Sequence, residues 1–427
     1  MHSLAPLSAL RLRVHRKGPS KLGLVVQVGI CLSVILGALT MGVATLNPVL
    51  AGTERGTGSA TKAATTGFVE RSGTKLTLNG ELYRFTGINI YTAAGAGPPP
   101  GCGSEDPLHI EVPLSQMRSG VVVRFWSFQD FEDPLNIEVP LSQMPSGVVV
   151  RFWVFQDFFV SKGALDWTNF DQVLTIAAAH GDKVIPVLAN SGDYCDGPVK
   201  DLAWYQSGYR TTVGPGDIVT YRQYVADVAS RYADNPTIAM WQLVNEGNAV
   251  NADGTCNESA ALSAELGFSN DVGSLAHSLD PSHLVSTGFI AGWQGHGAGQ
   301  WCGSANGDYQ KLMASPGNDV CDYHDYGYQS SPMGIPFPPD LTTAIQMCHA
   351  DGKPIMVAEN GIYATGTSEL APRAADFRAK FVAQFQAGVV GDLMWCWAIG
   401  PDYTVPATDA DYGIFPGDPS LRVLGTF

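Results

Sequence analysis

Two glutamates at the ends of apolar segments could form a catalytic pair. Glu246 ends the segment WQLVNE (241–246), and Glu359 ends the segment PIMVAE (354–359). Short apolar runs of this kind are consistent with buried strands. Two carboxylates about 5 Å apart can cleave a glycosidic bond by double displacement, in which one attacks the anomeric carbon and the other protonates the leaving oxygen. The alternative is that each glutamate only caps the loop at the end of its strand.

A parallel barrel would bring these two glutamates together. Eight β-like segments are predicted, at 84–91, 148–153, 183–189, 238–245, 283–287, 320–324, 353–358 and 391–397. Helical patterns lie between most of them, at 169–180, 217–233, 259–279, 340–350 and 372–387. This alternation predicts an α/β fold, a single-domain (β/α)8 TIM barrel. An open doubly wound sheet is the alternative, but no glycine-rich phosphate loop follows the first strand.

The barrel prediction gives both glutamates a common position. Active sites of such barrels lie at the carboxyl ends of the strands. The chain between Glu246 and Glu359 leaves room for three βα units, so these residues would end strands four and seven, on opposite sides of the barrel mouth. Glu246 is suited to be a general acid, provided that its pKa is raised.

The residues before the barrel are typical of a leader and a linker. Residues 1–51 carry a basic stretch followed by an apolar run at 22–46, which predicts a signal peptide or a membrane anchor. Cleavage after Ala51 is the favoured alternative, and the basic flank predicts export of the rest. Residues 52–66 are predicted to be a flexible linker and 67–427 the catalytic domain, beginning with a hairpin at 68–85. We therefore expect a secreted or extracellular protein, tethered through 22–46 if the leader is retained.

Charge and cysteines narrow the class of protein further. The chain of 427 residues has a net charge of −15, and the region after the leader is more acidic still. Such a surface repels nucleic acid but not a neutral polysaccharide. Eight cysteines fit an oxidising compartment, with Cys302 and Cys321 as the favoured disulfide and Cys396 as a buried thiol. No metal-binding spacing occurs, so we expect neither metal nor cofactor, and we expect a monomer.

A tandem duplication interrupts the region of the second strand. Residues 105–131 and 132–158 are copies that match at 24 of 27 positions, and each contains the strand VVVRFW. A barrel needs only one second strand, so the other copy should lie outside it. The second copy, with Arg151, is the favoured strand because it runs directly into the next helix and Pro145 ends the preceding one. The alternative places Arg124 in the barrel.

The residues around the glutamates resemble the family-5 glycoside hydrolases of clan A over about residues 68–424. Besides Glu246 and Glu359, the resemblance rests on Arg151, Asn245, His324, Tyr326 and Trp397. It implies that Arg151 steadies the nucleophile and that Asn245 binds the sugar 2-hydroxyl. It also implies that Trp397 lies under the sugar at the cleavage point, although Trp395 shares its face of the strand and packing is the alternative role for both.

Several further residues are candidates for the cleft. Asn190 ends the third predicted strand, where a role in a turn is an equal alternative. Aromatic side chains can stack on sugar rings, and the candidates are Trp153, Trp204, Trp293 and Trp301. For each of these tryptophans, packing is the more common role.

The resemblance implies a retaining hydrolase with Glu359 as nucleophile and Glu246 as acid/base. The implied substrate is a β-1,4-linked polysaccharide. The first strand contains Gly-Ile-Asn and the next contains Arg-Phe-Trp, and these segments are most similar to the mannanases of the family, which favours an endo-β-1,4-mannanase. A cellulase or another β-glucanase is the alternative. The alternative from another class is a non-catalytic carbohydrate-binding surface protein, because the duplicated segment could block the cleft.

Overall fold

The computed structural model describes residues 67–91, 93–94, 141, 144–193, 195–291, 301–305, 307–327, 331–333, 339–397, 412–415, 417–425 and 427. The predicted leader, linker and first repeat copy lie outside these residues, as do Arg124 and Trp293. In the part of the chain that the structure describes, no helix is both long enough and apolar enough to cross a membrane.

Eight strands form the central sheet, and every pairing between them is parallel. In chain order they are β1 (Phe85–Asn89), β2 (Val149–Trp153), β3 (Lys183–Val187), β4 (Met240–Gln242), β5 (Leu284–Ser286 with Ile290–Ala291), β6 (Cys321–Asp325), β7 (Ile355–Gly361) and β8 (Gly391–Trp395). The first piece of β5 pairs with β4 and the second with β6, while β8 pairs with β1. The sheet therefore closes on itself, and the predicted (β/α)8 barrel is confirmed.

The break in β5 has a steric cause. Gly288 lies between the two pieces with φ of 77°, where glycine is favoured. A Cβ atom there would lie 1.6 Å from the carbonyl oxygen of Val244. The backbone that leads to Glu246 thus packs directly against the backbone of the interrupted strand.

Six helices of at least seven residues are described. They are α1 (Thr168–His180), α2 (Tyr221–Tyr232), α3 (Glu258–Leu279), α4 (Gly307–Met313), α5 (Leu341–Ala350) and α6 (Leu370–Ala387). Shorter helical turns are Gln156–Phe159, Trp204–Gly208 running into Tyr209–Thr211, Thr367–Glu369 and Pro419–Val423. The five predicted helices are confirmed. Helix α4 was not predicted, because its seven residues are too few for a clear apolar period.

A small antiparallel sheet precedes the barrel, with strands Val69–Ser72, Lys75–Leu78 and Glu81–Tyr83. The predicted turn at Asn79-Gly80 is present, with φ of 55° and 82°, but a second turn at Gly73 gives three strands rather than one hairpin. Val69 and Leu76 are buried in one cluster with residues from the amino-terminal halves of the barrel strands. This sheet therefore covers the end of the barrel opposite the predicted site.

Two disulfides join described cysteines, Cys256 to Cys302 and Cys321 to Cys348. The predicted pairing of Cys302 with Cys321 is wrong. Cys321 begins β6 at the amino end of the barrel, whereas Cys302 lies in the loop that leaves the carboxyl end of β5. The two predicted partners thus lie at opposite ends of the barrel, and Cys321 pairs instead with α5, which packs beside its strand.

Candidate active site

Glu246 lies just beyond β4, where the backbone turns sharply. Asn245 still forms a parallel bridge with Asn190 beyond the end of β3. Glu246 then takes φ of 53°, in the left-handed region that non-glycine residues rarely adopt. Such a conformation costs about 1–3 kcal/mol and is found preferentially at functional sites. Its side chain is 24% exposed, and its Oε1 lies 2.9 Å from His324 Nδ1.

Glu359 lies within β7 and is buried, with a side-chain exposure of 3%. Arg151 Nη1 donates to its Oε1 at 2.7 Å, and the Tyr326 hydroxyl donates to its Oε2 at 2.6 Å. His324 Nδ1 lies 3.4 Å from the same Oε2. The carboxylate is therefore held from three sides by side chains of β2, β6 and the residue just after β6.

The two carboxylates are close together. Oxygens of Glu246 and Glu359 and a ring nitrogen of His324 all lie within 4.8 Å of one another. Retaining glycosidases separate their carboxyl groups by about 5–5.5 Å, and inverting enzymes by about 6.5–9.5 Å to admit a water. The observed separation is that of the retaining class.

Arg151 is the centre of a fully buried network beneath Glu359. Its exposure is 0%, and it lies in the second copy of the repeated segment. Nη1 also donates to Asn89 Oδ1 at 2.7 Å, Nε donates to Gln242 Oε1 at 2.7 Å, and Nη2 donates to Asn245 Oδ1. The structure thus places Arg151 beside Glu359, the position for which it was favoured over Arg124.

Burial and charge shift the pKa values of this group in opposite directions. Burial raises the pKa of Glu359, while His324, Arg151 and the hydrogen bond from Tyr326 oppose that rise. Burial lowers the pKa of His324 to about 3, so the imidazole is neutral at ordinary pH. Burial and the two glutamates raise the pKa of Tyr326 well above its usual range, which keeps its hydroxyl available as a donor.

Asn245 connects the network to β3. It accepts from Arg151, and its Nδ2 donates to Asn190 Oδ1 at 3.0 Å. Asn190 in turn is held by Asp196, whose Oδ2 accepts from the Asn190 backbone N–H at 2.6 Å. Asn190 therefore takes part in the support of the site as well as in the turn after β3.

The structure corrects the choice of tryptophan. Trp397 is 2% exposed within the main hydrophobic core, so it has no open face for a sugar. Strand alternation did not separate the two candidates, because β8 ends at Trp395 and the rule does not extend to Trp397. Trp395 is partly exposed, and its ring stacks on Tyr91 at 5.6 Å and lies 6.3 Å from Trp153.

The other candidate tryptophans differ in their surroundings. Trp153 is 3% exposed and belongs to the aromatic cluster beside Trp395. Trp204 packs against Tyr205 and Phe268, at 4.9 and 5.5 Å between ring centroids, which is a core role. Trp301 is half-buried next to Cys302.

Three residues of the network were not found by sequence reasoning, namely Asn89, Gln242 and Asp322. All three are at most 1% exposed. Each is a polar residue inside a strand whose residues are all buried. For Asn89 and Gln242 that pattern was visible in the sequence as a polar residue among apolar ones, and a buried polar side chain requires a hydrogen-bond partner.

Among the described residues, two groups of side chains have donor atoms close enough to surround a metal ion. One consists of Glu246, His324 and Glu359, where the buried guanidinium of Arg151 already contacts Glu359. The other consists of Cys256, Glu258 and Cys302, but its two sulfurs form a disulfide. Neither group is therefore a compelling metal site.

Comparisons with known sequences identify several relatives of this chain. It is 27% identical over 283 residues to a probable mannan endo-1,4-beta-mannosidase C of Aspergillus terreus, covering 64% of this chain and 67% of the relative. It is 25% identical over 335 residues to a mannan endo-1,4-beta-mannosidase A of Hypocrea jecorina, covering 77% of this chain and 70% of the relative. A mannan endo-1,4-beta-mannosidase F of Aspergillus fumigatus is matched over 64% of its length, at 25% identity and 69% of this chain. No family model matches the chain.

Solved structures share the fold. An endo-1,4-beta-mannanase from Rhizomucor miehei matches with a TM-score of 0.56 at 19% identity, covering 83% of this chain and 96% of that one. A hyperthermostable endo-1,4-beta-D-mannanase from Thermotoga petrophila matches with a TM-score of 0.51 at 20% identity, covering 80% and 98%. At these identities the likeness is one of fold. The curated relatives and the shared barrel support the resemblance to the family-5 glycoside hydrolases of clan A.

Proposed function

We propose that this protein is a retaining glycoside hydrolase that cleaves β-1,4-linked mannan at internal bonds of the polysaccharide. The observation that carries the proposal is the pair of carboxylates. Oxygens of Glu246 and Glu359 lie within 4.8 Å of each other, and the buried guanidinium of Arg151 contacts Glu359. This contact supports Glu359 as nucleophile, and the greater exposure of the Glu246 side chain supports Glu246 as acid/base.

In the first step, the Glu359 carboxylate attacks the anomeric carbon while Glu246 gives its proton to the leaving glycosidic oxygen. The bond from the anomeric carbon to that oxygen breaks, and an ester to Glu359 forms. Arg151 and Tyr326 orient the carboxylate before the attack, since each donates to a different oxygen. Both donors come from buried or hydrogen-bonded side chains that need no reorganisation during the reaction.

In the second step, Glu246 takes a proton from water, and the resulting hydroxide attacks the same carbon. The ester breaks and the Glu359 carboxylate is restored. The partial exposure of Glu246 supports this role, because its carboxylate must reach both a leaving group and a water molecule. His324 lies between the two carboxylates as a neutral imidazole, so it adds no positive charge that would deprotonate Glu246.

The choice of mannan rests on the relatives. Three curated relatives with 25 to 27% identity are named as mannan endo-1,4-beta-mannosidases or probable ones. Trp395, with Tyr91 and Trp153 beside it, would provide a stacking face for a sugar near the point of cleavage. Stacking of this kind suits a neutral sugar polymer but does not by itself select mannose over glucose.

The test is the release of reducing sugars from mannan, carboxymethylcellulose and laminarin by purified protein. We expect activity on mannan that exceeds activity on both glucans. A matched Glu359→Gln variant should bind mannan but release nothing, which excludes a contaminating hydrolase. Strong activity on a glucan with none on mannan would contradict the substrate, and binding without cleavage by the unaltered protein would contradict the enzyme.

We propose that the protein acts outside the cell. Residues 1–51 have the basic and apolar segments of an export leader. The disulfides of Cys256 with Cys302 and of Cys321 with Cys348 fit an oxidising compartment. Amino-terminal sequencing of protein recovered from the culture medium would test both export and the site of cleavage after Ala51.

A further inference from the structure

The position of Arg151 depends on neutral amides as much as on Glu359. The guanidinium donates to one carboxylate and to three amide oxygens, those of Asn89, Gln242 and Asn245. Because only Glu359 among these acceptors is ionisable, the positive charge is directed at the nucleophile alone. The three amides fix the plane of the guanidinium, provided that each one presents its oxygen to an N–H group of Arg151.

The orientation of the Gln242 amide is fixed from its other side. A guanidinium can only donate, so Gln242 must present Oε1 to Arg151 Nε. Its Nε2 then faces β6, where it donates to Oδ2 of Asp322. Without an acceptor at that place, the buried Nε2 group would have no partner for the hydrogen bond that it now donates to Asp322, and this orientation of the amide would be less favourable.

We propose that Asp322 is a positioning residue of the active site, which accepts from Gln242 and thereby holds Arg151 against Glu359. The inference rests on the proposed function, since the reaction gives Glu359 its role. Asp322 is 1% exposed and has no contact with the reacting atoms, so its effect on catalysis passes through Gln242 and Arg151.

Among the described residues, no cation donates a hydrogen bond to the Asp322 carboxyl. Its Oδ1 has no hydrogen-bond partner among the described residues. The donors of Arg151 are directed at other acceptors, and His324 Nε2, at 3.9 Å, carries no proton when the neutral ring donates through Nδ1 to Glu246. A buried carboxyl in this setting is more stable with its proton on.

The charges around Asp322 agree with a neutral carboxyl. The titratable groups that face it are Arg151, Glu359, His324 and Tyr309, whose hydroxyl donates to the Asp322 backbone oxygen at 2.8 Å. Burial, together with the charge on Glu359, raises the pKa of Asp322 to about 8, although Arg151 and the backbone N–H groups of Tyr323 and Ala358 oppose the rise. Asp322 therefore accepts the Gln242 hydrogen bond as a neutral acid, and Glu359 is the anion that contacts Arg151.

Two variants of matched size separate this role from a charged or a purely steric one. Asp322→Asn keeps an acceptor oxygen for Gln242 but cannot ionise, whereas Asp322→Leu fills similar space without an acceptor. We expect Asp322→Asn to keep kcat/KM on mannan within about threefold at pH 6, and Asp322→Leu to lower kcat by about 10- to 100-fold with little change in KM. Equal losses in both variants, or full activity in Asp322→Leu, would overturn the proposal.

The pH profile of Asp322→Asn adds a readout that packing alone would not change. Above a pH of about 8 the native residue ionises and adds a second anion beside Arg151, so kcat/KM should decline. In Asp322→Asn that part of the decline should be absent, and the alkaline limb should begin at higher pH. An unchanged limb would contradict the neutral carboxyl, and this arm stands even if Asp322→Leu does not fold.

Thermal unfolding tests the proton without any substrate. The pKa of Asp322 is raised in the folded state to about 8, whereas an unfolded aspartate titrates near 3.9. Between these values only the folded protein holds this proton, so the contribution of Asp322 to stability falls as the pH rises through that window. The Tm of Asp322→Asn relative to the native protein should therefore rise from pH 4 to pH 8, and a constant difference would contradict the inference. If the native protein cleaves no polysaccharide, the proposed function fails. The pH dependence of the Tm still tests whether the Asp322 carboxyl is protonated in the folded protein.

Discussion

The ends of β4 and β7 carry one glutamate each but hold them in different ways. Glu359 lies within β7, where the pairing register shifts toward both neighbouring strands. Its side chain is 3% exposed and receives hydrogen bonds from Arg151 and Tyr326. Glu246 lies beyond the end of its strand at φ of 53°, is 24% exposed, and lies 2.9 Å from His324. One carboxylate is buried and fixed, and the other is strained in its backbone and open to solvent.

This difference matches what each carboxylate must do. A nucleophile has to point at a single atom in a single protonation state, which favours burial beside a cation. An acid/base group must release a proton to a leaving group and recover one from water, which requires access to both. The backbone at Glu246 is held in its unfavourable conformation by the packing of Gly247 and Gly288, whose backbones hydrogen-bond at 3.2 Å. The two glutamates thus have different roles because their surroundings differ.

The largest effect should come from Glu359→Gln. Loss of the nucleophile removes the glycosyl-enzyme, and we expect kcat to fall by on the order of 10⁶ or to the assay limit, as for nucleophiles in other enzymes. The measurement is initial rate on mannan at fixed pH. Folding is checked by the Tm, because glutamine retains acceptor and size. Residual activity within tenfold of the native protein would contradict the assignment.

A smaller effect is expected for Glu246→Gln, and the effect should depend on the leaving group. Acid catalysis contributes about 10²–10⁴-fold, so kcat/KM on mannan should fall by that factor. Aryl mannosides with acidic phenols need no proton and should lose far less in the first step.

Azide sharpens the contrast between the two glutamates. The side chain of Glu246 is partly exposed, so a small anion can enter the space that this side chain leaves in Glu246→Ala and attack the glycosyl-enzyme without a base. We expect azide to restore turnover of an aryl mannoside and to give the β-configured azide. The same treatment of Glu359→Gln should give no such product, because no ester forms. Rescue in both variants, or in neither, would reverse or remove the assigned roles.

Arg151→Lys should disturb the β7 glutamate without removing it. A single ammonium cannot reach Glu359 and the three amides together, so Asn89, Gln242 and Asn245 lose buried donors. We expect kcat to fall by about 10²-fold. Arg151 lowers the pKa of Glu359, so with a more distant charge that pKa should rise and the acid limb of kcat/KM should move to higher pH. An acid limb at its native position would show that Arg151 does not set this pKa.

The fold could be predicted from sequence because its strands and helices have clear patterns of apolar residues. Every barrel strand was found, since apolar runs in a parallel barrel are buried on both sides and appear as continuous segments. The break in β5 was not found, because it depends on the approach of Gly288 to Val244, a contact between neighbouring strands that forms only in the folded sheet. The pairing of Cys321 with Cys348 was missed for the same reason, since it joins a strand to a helix that packs outside it.

The reacting residues could be predicted, but not the residues that support them. Glu246 and Glu359 stand at strand ends, where the type of residue and its place in the barrel suffice. Gln242 and Asp322 lie deeper in their strands, on β4 and β6, and are 80 positions apart in the chain. Their hydrogen bond depends on which side chains point into the barrel at the same level along its axis. An error of one residue in the register of a predicted strand reverses the direction of its side chains.

The smallest of these effects should distinguish the two tryptophans at the end of β8. Trp395 is partly exposed beside Tyr91, and stacking on a sugar ring is worth on the order of 1 kcal/mol, so Trp395→Ala should lower kcat/KM about tenfold or less with a modest change in Tm. Trp397 is 2% exposed in the core, so Trp397→Ala should lower the free energy of unfolding by about 3–5 kcal/mol. Its kcat/KM should change little at temperatures where the variant stays folded.

The measurements are kinetics on mannan and denaturant unfolding of both variants. Loss of activity at full stability in Trp397→Ala would favour Trp397 as the stacking residue and would mean that the core around Trp397 opens when substrate binds.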